Sequence, residues 1–342
     1  MVKIGIVTGN ATAESLARVA DAERLGVDSV WIPEAWMFDG LTPAAFVAGR
    51  TETIRIGTAC VQLGSRSPAL LAMSALSLQA MSNGRFILGM GSSGPQVMEG
   101  WHGVRFDKPV TRTRETMEII RRVASGDRLA YDGATYQLPL PDSQGKSMRS
   151  PVAMWPIPMY VASMGPANLR LTGELADGWI GTAFIAEHAD VYLDPIREAA
   201  IAAGRSVDDV EITVAAGLEF TDDIETAGRR HAAGYAFTIG AMGSSKTNFY
   251  NQAYTRMGFG DAVEDVQRLW AAGDRDAAGQ AVPIEIGLHT NLVGDDEYVT
   301  GRLRAYRDAG VDTIRVGVDL DTDTLDDLAR LMDLVTNVNA EP

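Results

Sequence analysis

Short apolar runs rich in β-branched residues alternate with amphipathic stretches of helical length along most of this chain. Residues 3–7 (KIGIV) predict a buried first strand. Residues 13–25 predict a helix, with Leu16, Val19, Ala20, Glu23 and Leu25 at helical spacings and Gly26 as its stop. Further strands are predicted over 29–32, 53–61, 85–90, 159–162, 178–181, 210–216 and 313–318. Between and after them the pattern predicts helices over 42–49 with Pro43 in its first turn, 68–81 capped by Ser67, and 108–126 opening on Pro109 and ending at Gly126. Helices at 166–176, 188–203 and 325–338 complete the series. A Pro-rich stretch, 131–158, reads as a surface insertion, and 223–292 reads as mostly helical with 246–250 as a loop.

Eight strand-then-helix units in series suit parallel strands, which need crossover connections, and point to a single (β/α)8 TIM barrel domain over residues 1–342. Thr53-Ile-Arg-Ile-Gly and Thr313-Ile-Arg-Val-Gly echo one another, as repeated units of one barrel would. An open doubly wound sheet would need a glycine-rich phosphate fingerprint after the first strand, where Thr8-Gly-Asn-Ala-Thr offers a lone glycine.

Composition narrows the partners. The 342 residues carry a net charge of -15, so a polyanion would be bound against the overall field, and nucleic acid is not expected as a partner. The single cysteine, Cys60, excludes a disulfide or a multi-thiolate metal site within the chain. The first residues read as a strand rather than a signal peptide, and no run approaches the ~18 apolar residues of a spanning helix, so a cytoplasmic location off the membrane is expected.

Barrels of this kind place their chemistry where the strands end. Those segments here are Pro33-Glu34-Ala35-Trp36, Ala59-Cys60-Val61-Gln62, Gly89 to Gly94, and Ser163-Met164-Gly165-Pro166. The last lies directly before a helix, where exposed amides and the helix dipole favour a phosphate, although an ordinary Gly-Pro helix entry reads the same way. Glycines at 89–94 allow a flat ring to approach the backbone closely or simply make a tight turn. Glu34 could anchor a ring edge, act as a base, cap its loop or pair with an arginine. His102, His188, His231 and His289 are scattered without metal-ligand spacing, so no metal is expected. Trp36, Trp101 and Trp179 offer stacking faces or core packing, and Lys108, Arg112 and Arg114 offer a basic lane or a solvated face.

Several runs together resemble the bacterial luciferase-like superfamily. They are Arg66-Ser-Pro-Ala, Ser82-Asn-Gly-Arg-Phe-Ile-Leu-Gly-Met-Gly, Gly94-Pro-Gln-Val-Met-Glu-Gly-Trp-His-Gly, Lys108-Pro-Val-Thr-Arg-Thr-Arg-Glu and Ile157-Pro-Met-Tyr-Val-Ala-Ser-Met-Gly-Pro. Within that superfamily the chain is similar to the actinobacterial branch dependent on the deazaflavin coenzyme F420. The resemblance implies insertions over the barrel mouth, a homodimer, and hydride transfer between C5 of the deazaflavin and a small organic substrate. It also implies a bulge with a non-proline cis peptide at or next to Ala59-Cys60.

On the same resemblance, the coenzyme phosphate meets Met164 and Gly165 beside Ser163, and the ring lies over Ala59, Cys60, Gly91 and Ser92 near Thr182. Glu34 or His102 would handle the proton, and Trp36, Gln96, Trp101 and Lys246 would shape the substrate pocket. The histidine base and glutamate acid of the family's sugar-phosphate dehydrogenases fall at Ala35 and Gly94, which sets that reaction aside. Two other readings share the fold: an FMN-dependent two-component monooxygenase and a non-catalytic cofactor-binding barrel.

Overall fold

The alternating runs form eight parallel strands in a computed structural model, which describes residues 1–152, 155–242, 248–320 and 325–341. They are β1 (Lys3–Thr8), β2 (Ser29–Ile32), β3 (Arg55–Thr58), β4 (Phe86–Gly91), β5 (Met159–Ala162), β6 (Gly178–Gly181), β7 (Glu211–Ala216) and β8 (Thr313–Val318). Hydrogen-bonded order runs β3-β2-β1-β8-β7-β6-β5-β4, and a β3–β4 pairing closes the barrel. Residue Val7 stands beside both Trp31 and Gly317 in the register. The outward side chains of each strand, such as Ile4, Ile6, Val30 and Ile314, are buried under the helices.

Inside the barrel, Trp31, Ile87, Tyr160 and Ile180 form a separate apolar plug. Two rings this large fit because the facing strands have no side chain there. A Cβ on Gly57 would lie 2.4 Å from the Trp31 ring, and one on Gly178 would lie 2.5 Å from Tyr160. Below the plug, Arg55 crosses the lumen to pair with Asp28 (2.6 Å) and Glu211 (2.7 Å), and Glu211 also accepts from the Tyr160 hydroxyl at 2.6 Å. The N-terminal end of the barrel is therefore closed by an ion cluster, and a ligand must enter at the other end.

The structure departs from the sequence pattern at a few points. The helix expected over 13–25 is two pieces, Ala13–Ala17 and Val19–Arg24. The strand expected over 53–61 ends at Thr58, the Ala59–Cys60 peptide is cis, and Val61–Gln62 resumes the pairing beside Met90 and Gly91. The Thr58 hydroxyl spans the interruption, donating to Gly89 O (2.7 Å) and accepting from Gly89 N (3.0 Å). Helix Pro95–Gly100, the parallel pair Leu218–Phe220 with Leu292–Gly294, and the small hairpin Tyr131–Asp132 with Gln137–Leu138 were not signalled by period. Each is too short for one. Of the loop expected over 246–250, residues 246 and 247 lie outside the described residues, while Asn248 caps helix Phe249–Tyr254. Trp179 points outward into the helical layer, fully buried against Phe184 and Tyr192, so it offers no stacking face to the mouth. No helix among the described residues is long and apolar enough to cross a membrane.

Candidate active site at the barrel mouth

Above the aromatic plug, the inward positions are small. Val7, Ala59, Cys60 and Ala162 pack on the plug while remaining partly exposed, and Gly91 and Gly317 leave the neighbouring positions bare. A Cβ on Gly91 would lie 2.7 Å from Cys60 Sγ and 3.2 Å from Ala162 Cβ, so this floor is as low as the backbone allows. It suits a flat ring. Ser92 and Thr182 stand at the rim, each directly after its strand and partly exposed. Burial pushes the Cys60 thiol up to about 12 against the pull of Arg315, so the sulfur is a neutral, apolar part of this floor at neutral pH.

Glu34 and His102 are drawn into one network. The Glu34 side chain is only 6% exposed, and its two oxygens take the Arg66 guanidinium in a fork at 2.7 Å each. The same oxygens accept from the amides of Gly40 (2.9 Å) and Gln62 (3.1 Å). Burial opposes the charge, but the Arg66 hydrogen bonds and the two amides outweigh it and hold the carboxyl below its usual range. Glu34 is thus an ionised carboxylate with its acceptor sites filled. It fixes the loop after β2 to the resumed strand after β3.

Gln62 continues the chain. Its amide nitrogen donates to the carbonyls of Ala35 (3.0 Å) and Glu34 (3.4 Å), so its oxygen faces His102 Nε2 at 2.5 Å. Carbonyls can only accept, which fixes the amide orientation; His102 Nε2 must then carry the hydrogen, leaving Nδ1 as the ring nitrogen able to take a proton. Gln62 and Arg66 were visible only as a strand-end residue and as part of a family-like run, and pairing of Glu34 with an unspecified arginine was one alternative among several; these contacts span 28 to 40 residues, so no local spacing encodes them.

The phosphate expectation meets a mixed set of groups. Gly165 caps helix Pro166–Leu175 with extended backbone, and among the described residues the amides of Met164 and Gly165 have no protein acceptor. Arg256, from the helical insertion after β7, donates to Met164 O at 2.7 Å and brings a cation to the same helix start. The Ser163 hydroxyl instead turns inward to Thr172 (3.0 Å), and its carbonyl accepts from the Trp179 indole at 2.8 Å. Ser163 therefore braces the turn, while Met164, Gly165 and Arg256 face it. The basic lane is a different matter: Arg112 is paired with Asp107 and Arg114 with Glu174, which among the described residues leaves Lys108 as the lane's cation without an ion pair.

Trp36 and Trp101 are 54% and 66% exposed, and they adjoin Ala35 and His102, the two ends of the Gln62 bridge. Gln96 is exposed on the adjacent short helix. Lys246 lies outside the described residues. Among the described residues no set of three His, Cys, Asp or Glu side chains is placed to hold a metal ion.

Comparison with known proteins bears on this arrangement. The family model for luciferase-like monooxygenases matches residues 3–313. The chain belongs to that family. A relative in Mycobacterium tuberculosis, provisionally named a coenzyme F420-dependent oxidoreductase, is 37% identical over 324 residues, covering 92% of this chain and 93% of the relative. A 5,10-methylenetetrahydromethanopterin reductase of Archaeoglobus fulgidus is 27% identical over 300 residues, covering 86% of each chain. Among solved structures, the coenzyme F420-dependent tetrahydromethanopterin reductase of Methanopyrus kandleri superposes with a TM-score of 0.76 at 22% identity, over 98% of this chain and 97% of that one. At that identity the likeness speaks for the fold, and it agrees with the closed eight-stranded barrel of this luciferase-like protein.

Proposed function

We propose that this luciferase-like protein is a coenzyme F420-dependent oxidoreductase that moves a hydride between the deazaflavin and a small organic substrate bearing a C=C, C=N or C=O bond, in either direction. The observation that carries the reading is the low floor of Ala59, Cys60, Gly91 and Ala162 beside the free Met164 and Gly165 amides, a surface for a flat ring next to a place for its phosphate. The relative in M. tuberculosis named for F420 supports it in sequence. When bound, the deazaflavin supplies the hydride chemistry, and the protein residues supply position and protons.

In this reading Ala59, Cys60, Gly91, Ser92 and Thr182 seat the ring. Met164, Gly165 and Arg256 hold the phosphate. Trp36, Gln96 and Trp101 border the substrate. His102 exchanges the substrate's proton through Nδ1 while Gln62 holds the ring upright, and Glu34 serves as the anchor of that arrangement rather than as a proton donor.

Two coarser features belong with this proposal. The protein acts in the cytoplasm, where Cys60 remains a thiol. It does so as a homodimer: helix Pro68–Ser82 presents Met73 to an apolar groove of 680 Å³ whose far wall includes Met148 and Val152.

Anaerobic oxidation of reduced F420 by a panel of enones, imines and ketones tests the activity. The proposal expects substrate-dependent regain of the oxidised absorbance in the absence of oxygen, and loss of that activity in the H102F variant. Turnover that needs oxygen and reduced FMN would assign the barrel to the monooxygenase reading instead.

A further inference from the structure

The two echoed pentapeptides place an arginine at the same inward step of β3 and β8, and the structure treats the two very differently. Arg55 lies at the closed end of the barrel between Asp28 and Glu211. Arg315 is 4% exposed inside the lumen, and among the described residues no carboxylate lies within ion-pair distance of it. Its Nη2 donates to Gly181 O at 2.7 Å, its guanidinium sits 5.5 Å from the centre of the Trp31 ring, and its Nε has no acceptor.

A desolvated guanidinium with one neutral acceptor and an idle N–H is stable only if something else meets its charge. The titratable groups of the floor do not. Cys60 feels Arg315 but is a neutral thiol; Glu34 acts on Cys60 and Cys60 on Tyr250, and neither Glu34 nor Tyr250 is a partner of Arg315. Glu34 is in any case already matched by Arg66. Burial brings Arg315 down to about 10, so it remains a cation at neutral pH.

We propose that Arg315 is the counter-cation of the barrel mouth, balancing the charge of a planar, delocalised anion that lies on the Ala59–Cys60 floor. This rests on the function proposed above, in which that anion is the deazaflavin ring with its 8-hydroxyl ionised. Negative charge on that oxygen is shared across the fused rings to the pyrimidinedione carbonyls, so a cation under the ring stabilises it without touching the hydroxyl. Were a hydride delivered to C5 of such a ring, its pair would form the new C5–H bond and the displaced π pair would move onto the pyrimidinedione, where the same guanidinium would balance it.

The experiment follows ionisation of the bound oxidised coenzyme by absorbance as pH is raised, for the wild type, R315K and R315M. The expected result is that wild-type protein holds the ring at least tenfold more ionised than free F420 at a given pH, that R315K keeps most of that excess, and that R315M removes it. A bound ring no more ionised than the free one in the wild type overturns the proposal without reference to any variant. An excess that survives in R315M also overturns it. If the wild type binds FMN and not F420, the cofactor reading fails, and the same titration on the N3 proton of bound FMN decides the role of Arg315 separately. Binding of neither ring overturns both.

Discussion

His102 and Gln62 show how a residue becomes a candidate proton carrier. A half-buried histidine just after a short helix is unremarkable until its tautomer is fixed, and here two backbone carbonyls fix Gln62, which in turn fixes His102. Replacing His102 by Phe should lower kcat by about 100-fold, in the range of general acid–base contributions. Replacing Gln62 by Met should lower kcat by about 10-fold while leaving coenzyme affinity within about twofold. Stopped-flow kinetics with equilibrium binding checks both. An unchanged kcat in the His102 variant would remove it from the chemistry. Glu34 was visible as a strand-end polar residue and His102 as one of four scattered histidines, but their roles were not, since Arg66 and Gln62 decide them through tertiary contacts that leave no local spacing.

At the level of elements, the strands were legible because β-branched runs bounded by turns announce buried parallel strands. What fills the barrel was not legible. Trp31 looks like any buried aromatic in sequence, and Gly57 like a weak point in a strand, yet together they are one packing unit: the ring of one occupies the missing side chain of the other. Gly57→Ala should therefore destabilise the fold by about 1–3 kcal/mol through overpacking, and the double variant with Trp31→Phe should recover part of the loss. Urea titrations of the two single variants and the double would show it. Strict additivity would mean that the two residues are not coupled. The interruption of β3 is a second case. Period alone ran that strand through residue 61, whereas Thr58 ends it by bonding its hydroxyl to both polar groups of Gly89.

Across the whole molecule, the two ends of the barrel are made of opposite materials. The closed end is an ion cluster in which burial would raise Glu211, but the Arg55 hydrogen bonds and charge, with the Tyr160 hydroxyl, bring it down to about 2. Its folded value lies below its unfolded one, so the stabilisation is fully present above about pH 4.5 and is lost as pH falls toward 2. The loss should be on the order of 3 kcal/mol. Glu211→Gln should be less stable than the wild type at pH 7 and should lose less between pH 4.5 and 2, as read from urea midpoints at each pH. Parallel curves for the two proteins would show that Glu211 does not govern the acid limb.

At the open end, the low floor and the free Met164 and Gly165 amides form the proposed deazaflavin site. Fluorescence titration of the purified protein with F420 and with FMN, at matched salt, tests this most directly. Micromolar or tighter binding of F420 is expected, with FMN at least tenfold weaker; the reverse preference would contradict a deazaflavin site.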